Sequence, residues 1–575
     1  MSEWNLSRRE WLERISVPAV GVSVGAALSS ASPVAAAPSQ TPASADALNG
    51  ARVYNVRDHG AKGDGKTLDT TALQAAIDAC HRDGGGTVLV PAGTFHIGTV
   101  ELKSNVTLHL AAAATLLGSA DGKQYHAVDA IPLRGDSTLG DGNWALIFAV
   151  DAKNVTIEGS GLIDGQGLQF HAPKSGVPPP SGLGGNQRPY HLLFHKCEHL
   201  RVQHIRLFQS AYHSVRVIQS KHVLMDGLHI YNRVNNNDDG FHFVSCEYVQ
   251  VSNCTVLAQD DVCALFGSCK FVTVTNCTFS TRWSVFRFGG GVAENITVSN
   301  CVLHQVYGCP LKFHGSPGTR FENMSFSNLV LTDVTGPISI SVGPSANAAA
   351  PPAGAGAQPS TAAAGTPPGI IRNIAFSNIH GTVTTDPPQL PDVPFTSQIR
   401  PGEGHSCIVL NAVGDSVVEN ISFSDVHLTF GGGGTAEEAA RRDLPEVAGE
   451  YFMLGPMPAY GLYARRARGV TLQNVRFQVA SADLRPAVIL DHVEDVAING
   501  FSVEGNTKAE SVLRFINSKD VYLTATRLLT PAATFLQLEG AANARITLDG
   551  GDISKAASPT AFKNGASARA VKVRA

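Results

Sequence analysis

The chain has 575 residues, 43% of them hydrophobic, with ten cysteines and a formal charge of −4. With a pI near 6.6 and no long Lys/Arg run, it lacks the electrostatic footprint of a nucleic-acid partner. Length alone would divide it into roughly three or four domains, a prior that an internal repeat overrides.

Residues 1–45 read as an export signal and linker. Ser7-Arg8-Arg9-Glu10-Trp11-Leu12 precede an uncharged stretch from about Val17 to Ala37 that is rich in Ala, Gly, Ser and Val. This is the pattern of a twin-arginine signal, which carries a folded protein across a membrane. The competing reading is a transmembrane anchor, for which the stretch is Ser-rich and only marginally long. The expected location is the periplasm or the medium, without stable membrane insertion after export.

Residues 46–575 are expected to form a single catalytic domain. Asp69 and Thr70 stand before Leu73, Ala76, Ile77 and Cys80, an N-cap followed by an apolar helical stripe. Such a helix would cover the open end of a solenoid.

From about residue 150 a short alternating apolar phrase recurs. It runs from Val155-Thr156-Ile157 and Leu200-Arg201-Val202 through Val249-Gln250-Val251, Val272-Thr273-Val274 and Ile374-Ala375-Phe376 to Val521-Tyr522-Leu523. Alternation with period two means strands, and recurrence every 23 to 28 residues, or about double that where a loop intrudes, means stacked β-coils. Asn253, Asn276, Asn300, Asn328, Asn378 and Asn474 each follow their phrase by two residues, with Asp425 in the equivalent place. Asn tolerates the left-handed backbone of a tight turn, and stacked amides can hydrogen-bond from coil to coil. These residues are therefore expected to be structural. Cys254, Cys277 and Cys301 close identical phrases, and so are expected as stacked core thiols rather than disulfides. An Ala/Pro/Gly/Ser-rich stretch over 343–369 reads as a disordered loop between coils, and Gly431 to Arg442 as a second excursion.

The chemistry-bearing residues lie on neighbouring coils. Asn237-Asp238-Asp239-Gly240 is followed one coil later by Gln259-Asp260-Asp261. Coils stack about 4.8 Å apart, so Asp239 should lie close to Asp260 or Asp261. Like charges at that range raise the pKa of at least one carboxyl, as a general acid requires. Asp260 and Asp261 can both face one groove only if a turn or bulge interrupts the coil between them. The competing reading makes them turn carboxylates that cap backbone amides.

The opening phrase Asn55-Val56-Arg57-Asp58-His59-Gly60-Ala61-Lys62-Gly63-Asp64-Gly65 resembles the start of the pectin-lyase-like β-helix superfamily, whose members include hydrolases, lyases, epimerases and phage tailspikes. Ile163-Asp164-Gly165-Gln166-Gly167, Arg188-Pro189, the Asn237–Gly240 phrase and Gln259-Asp260-Asp261 together resemble glycoside hydrolase family 28, the polygalacturonase family, over about 52–505. The phrase Pro458-Ala459-Tyr460-Gly461-Leu462-Tyr463-Ala464-Arg465 is similar to a segment of its bacterial members. The resemblance implies an all-β, right-handed single-stranded parallel β-helix with a short N-terminal capping helix. It also implies an inverting hydrolase of pectin-type polysaccharide, with Asp260 as acid and Asp239 and Asp261 positioning water.

Two family motifs are degraded. The Gly-His-Gly region reads Trp283-Ser284-Val285-Phe286-Arg287-Phe288-Gly289-Gly290-Gly291, with no His, and Pro310 replaces the Arg of the Arg-Ile-Lys motif while Lys312 is kept. Arg287 is the candidate to replace the lost cation, against the alternative of a solvated strand residue. Candidate substrate contacts are Asn237, Arg287, Lys312, His314, Tyr307 and Tyr460, with His213 and His242 as further groove residues; Tyr460 is considered as a stacking platform for a sugar. No cofactor or metal is expected, and the chain is expected to act as a monomer on a polysaccharide or oligosaccharide. Two other readings stay open on this scaffold, a polysaccharide lyase or epimerase and a non-enzymatic carbohydrate-binding β-helix.

Overall fold

The computed structural model describes residues 52–132, 142–172, 176–344, 365–390, 393–395 and 399–574. The export signal expected over 1–45 and most of the loop expected over 343–369 lie outside them. The described residues belong to one compact unit, Asn49–Ala575, and none of their helices is long and apolar enough to cross a membrane.

The architecture is a right-handed parallel β-helix. A typical coil runs through the strands Val215–Ile218, Lys221–Asp226 and His229–Asn232, then through a connection to Phe241–Val244, which lies directly beside Val215–Ile218 in parallel register. First strands stack into a fifteen-stranded sheet, and second and third strands into a sheet of twenty-seven. This coil thus carries a two-residue turn, a tight corner and one longer connection. Most insertions lengthen the connection from a third strand to the next first strand, whereas the chain between Ile338–Val342 and Ile370–Val383 lengthens a first turn, and neither disturbs the ladders.

The corners obey the sequence pattern. Asn253, Asn276, Asn300, Asn328, Asn378, Asp425 and Asn474 all have φ between 49° and 56°, the left-handed region that Asn tolerates better than other side chains carrying a Cβ. Asn378 donates to Asn328 Oδ1 at 2.9 Å, and Asn328 to Asn300 Oδ1 at 3.0 Å. A second ladder, not anticipated, joins Asn420, Asn373 and Asn323 at 3.1 Å each along the opposite end of the same strands.

Inside, inward residues align coil over coil. Phe326, Phe376 and Phe423 form a stack with centroid spacings of 5.4 and 5.1 Å. All ten cysteines are buried and free. Cys254, Cys277 and Cys301 share one column, each thiol donating to the carbonyl two residues earlier at 3.1 to 3.2 Å.

The helix Thr70–Arg82 buries Leu73, Ala76, Ile77 and Cys80 against the first coils, as the stripe predicts. Asp69 corrects the expected cap. It occupies the N-cap position, but its carboxylate makes no capping bond and accepts instead from Lys62 N at 2.7 Å and Gly63 N at 2.9 Å. Two convergent amides of the preceding loop outcompete one helix-terminal donor.

Candidate active site

The functional side chains sit on the long connections and on the outward face of the fifteen-stranded sheet. Continuing the Phe241↔Cys263 register backwards aligns Asp239 with Asp261, and Gly240 N donates to Asp261 O at 2.9 Å. The interruption required between Asp260 and Asp261 is present: the strand Thr255–Ala258 ends before them, and the next begins at Cys263. Asp260 Oδ1 accepts from Asp261 N at 2.9 Å, which turns the two side chains apart.

Each carboxylate has a distinct environment. Asp239 Oδ2 accepts from His242 Nδ1 at 2.7 Å, and His213 Nε2 lies 3.7 Å away. Arg216 donates to His213 Nδ1 at 3.4 Å, which leaves Nε2 as that ring's protonated nitrogen. Burial, reinforced by the charges around each ring, holds both imidazoles well below the usual histidine range. These two rings and Asp239 are the candidate metal-ligand group among the described residues, their ligand atoms within 4.8 Å of one another. His242 Nδ1 is already engaged with Asp239, and the Arg216 cation stands beside His213, so the donors fit a hydrogen-bond relay that orients Asp239 better than a cation site.

Asp260 is partly buried; burial first, then the charge of Asp261, push its carboxyl up to about 7. Asn237 Nδ2 donates to its Oδ2 at 3.3 Å. Asn237 is itself held in a left-handed conformation, φ 58°, beneath Arg188, which bonds Asn237 Oδ1 at 3.3 Å, Asn236 O at 2.5 Å and Ala211 O at 3.2 Å while stacking over Tyr212. Arg188 of the Arg188-Pro189 phrase therefore sets the hydrogen-bond partner of Asp260 from two coils away. Asp238, adjacent to Asp239, turns inward and accepts from Val234 N and Asn235 N at 2.8 and 2.6 Å. It closes the turn that aims its neighbour.

Arg216, His242, Ala264, Arg287 and Lys312 form one outward row of the sheet. Arg287 is not a solvated strand residue. Its Nη1 lies 3.7 Å from Asp261 Oδ2, and its Nη2 lies 3.0 Å from Glu450. Lys312 is wholly buried, bonded to Glu450 Oε2 at 2.9 Å and lying 4.6 Å from the centre of the Trp283 ring. His314 Nδ1 lies 3.8 Å from the same carboxylate, and burial pushes that imidazole down to about 3.

Three expected substrate contacts are corrected: Lys312, closed off by Glu450 and Trp283, and two tyrosines. Tyr307 is fully buried and donates to Asp333 at 2.6 Å, and Tyr460 is 3% exposed, donates to Glu504 O at 2.7 Å and packs edge-on against Phe430. Neither ring presents a face to a sugar, because the inward preference of an aromatic body prevailed once its hydroxyl found an internal acceptor.

Several site residues were missed. Trp283, one coil beyond Asp260, forms a wall with Phe452 and Arg400, whose guanidinium sits 4.6 Å over the Phe452 ring. Arg282 and Glu403 pair beneath it at 2.8 Å, both buried. On the opposite flank His171 stacks on Phe395 at 5.1 Å and faces Asn235 at 2.9 Å. The degraded motif at Trp283 was the available signal for the first. Glu450, Phe452 and Phe395 lie on distant excursions that no local pattern ties to the carboxylates.

Comparison with known proteins agrees with this geometry. Residues 80–390 match the model of the glycosyl hydrolases family 28. A probable polygalacturonase of Vitis vinifera is 31% identical over 36% of this chain and 43% of its own length. An exo-poly-alpha-D-galacturonosidase of Dickeya chrysanthemi is 30% identical over 48% of this chain and 56% of its own length. The matches thus span about half the length of these curated relatives. Among solved structures, a family 28 exopolygalacturonase of Yersinia enterocolitica shares the fold, with TM-score 0.56 and 20% identity over 78% of each chain. With a family match over more than half its residues, the chain belongs to the glycosyl hydrolases of family 28.

Proposed function

We propose that this protein hydrolyses glycosidic bonds in a pectin-type polysaccharide or its oligosaccharides, with Asp260 as general acid and Asp239 and Asp261 activating water. The observation that carries the reading is the division of labour among carboxylates on adjacent coils. Asp260 is pushed up to about 7 by burial and by Asp261, while Asp239 is held by His242 and Asp261 faces Arg287. One carboxyl that keeps its proton beside others that accept hydrogen bonds and face a cation is the arrangement glycoside hydrolysis needs.

In the forward step Asp260 gives its proton to the leaving glycosidic oxygen as the C–O bond breaks. A water held by Asp239 and Asp261 attacks the anomeric carbon from the opposite face and passes its proton to one of them, giving net inversion. The named relatives support a pectic substrate. Lys312, a candidate base for β-elimination, is buried and paired with Glu450, which weighs against the lyase or epimerase reading, and the proton held on Asp260 weighs against a purely binding role. The Ser7-Arg8-Arg9 segment supports export as part of the proposal.

The test is hydrolysis of a panel of pectic oligomers by the protein and by Asp260→Asn, with the product anomer followed by NMR from the first turnover. Reducing ends that appear with inverted configuration and vanish in the variant support the reading; equal activity in the variant overturns it.

A further inference from the structure

The cations beside the carboxylates are already occupied, and by the protein itself. Arg287 and Lys312 neighbour each other in the outward row and are the two cations that act on Asp260. Glu450 meets both, through Oε1 to Arg287 at 3.0 Å and Oε2 to Lys312 at 2.9 Å. Its side chain is 15% exposed and that of Lys312 not at all, so no face of the ammonium remains for a ligand.

This carboxylate is fixed in place. One and two coils beyond His314, in its own row, stand Ser341 and Asn411. Asn411 Nδ2 donates to Val447 O at 2.9 Å, Gly449 N donates to Ser341 Oγ at 3.4 Å, and Arg465 holds Leu444 O and Pro445 O at 3.2 and 2.8 Å. Arg441 binds the carbonyls of Leu454 and Pro456 on the other side of Glu450. The excursion is thus tied to the sheet before Glu450 and braced after it.

The charges then decide which sugar fits. Two cations, Arg287 and Lys312, face two anions, Asp261 and Glu450, and His314 is kept neutral by burial. A uronate brought here would find Arg287 and Lys312 already paired and would face the Glu450 carboxylate at close range, where like charges repel. A hydroxyl-bearing or esterified sugar carries no such penalty. We propose that Glu450 is a specificity-determining residue, a resident carboxylate that satisfies Arg287 and Lys312 so that the sugar unit bound beside Asp261 at this place is a neutral one.

The inference rests on the hydrolase reading but is tested apart from it. Free-acid and methyl-esterified oligogalacturonides differ in charge on one sugar skeleton, and rhamnose-containing pectic oligomers control for the bulk of the ester. Calorimetric titration is done with Asp260→Asn and with Asp260→Asn/Glu450→Gln, and hydrolysis with the parent protein and Glu450→Gln. The parent is expected to favour neutral units at least tenfold, and Glu450→Gln, with its two cations released, to gain at least tenfold toward the free acid and to rise in Tm on adding it. Should removal of two buried charges' partner unfold Glu450→Gln, Glu450→Asp, which shortens the reach to both cations, is expected to weaken the preference in the same direction. An unchanged preference in the folded variants, a parent that favours the free acid, or binding of neither class overturns the inference. Absence of hydrolysis of every oligomer overturns the hydrolase reading instead, and the titrations still decide the role of Glu450.

Discussion

His242 donates from Nδ1 to Asp239 Oδ2 across 2.7 Å, three residues along a single connection and strand, with its other nitrogen buried and without a partner. The imidazole is neutral, pushed well below its usual range by burial first and by the charges of Arg216 and Arg287 after it. It therefore acts as a fixed donor that aims one carboxylate lone pair. His242→Ala should lower kcat by about 10- to 100-fold, the range seen when an orienting partner is removed, while KM changes little and the pH optimum is unmoved. Because the ring's donor is spent on Asp239, EDTA should leave the parent rate within about twofold; a larger loss, restored by a divalent cation, would show that the group holds a metal.

Asp260 should set the alkaline limb of activity. Its carboxyl is pushed up to about 7, so the proton needed by the leaving oxygen is present below that pH and lost above it. The kcat profile should fall tenfold per pH unit beyond about 7, and Asp260→Asn should cost on the order of 10²–10⁴ in kcat.

The same shift has a stability cost with a definite sign. A carboxyl whose folded pKa lies above its unfolded value binds its proton more tightly when folded, so stability falls as pH rises from about 4 towards 7, by at most ~1.4 kcal/mol per unit, and is then level. Asp260→Asn should accordingly raise Tm at pH 8 and leave it nearly unchanged at pH 3. A variant less stable than the parent at pH 8 would show that the carboxylate is structurally required.

Arg188 positions Asn237 through three acceptors and a stack on Tyr212. Lys cannot reproduce a planar fork that also stacks. Arg188→Lys should reduce kcat by about tenfold or more and raise the apparent pKa on the alkaline limb, because Asn237 donates to the Asp260 carboxylate and a loosened donor favours its ionised form less. An unchanged pH profile at reduced Tm would reduce Arg188 to a purely structural role.

Asn328 links Asn300 and Asn378 in the corner ladder at φ 55°. Asn328→Ala loses coil-to-coil bonds worth about 1 kcal/mol each and puts Ala in a backbone region costing it ~1 kcal/mol more. Tm should drop by a few degrees with activity unaffected, and Asn328→Gly, which relieves the backbone, should recover part of the loss.

Local periodicity alone determined the solenoid, its corner asparagines, the free core thiols and the capping helix, because a coil interacts mainly with its neighbours and each position repeats the same environment. Spacing also placed Asp239, Asp260 and Asp261 together: one coil of separation along the chain is one strand of separation in space. What only the tertiary structure decided came from the excursions. Over the separations of 138 positions from Lys312 to Glu450 and 121 from Arg282 to Glu403, no repeat reveals which loop folds back over which coil. The fate of a tyrosine at a coil edge is equally invisible, since Tyr307 and Tyr460 turn inward only because Asp333 and the Glu504 carbonyl wait there. Repetition makes the scaffold legible in one dimension, whereas the charge of the groove is set by long-range contacts that no period encodes.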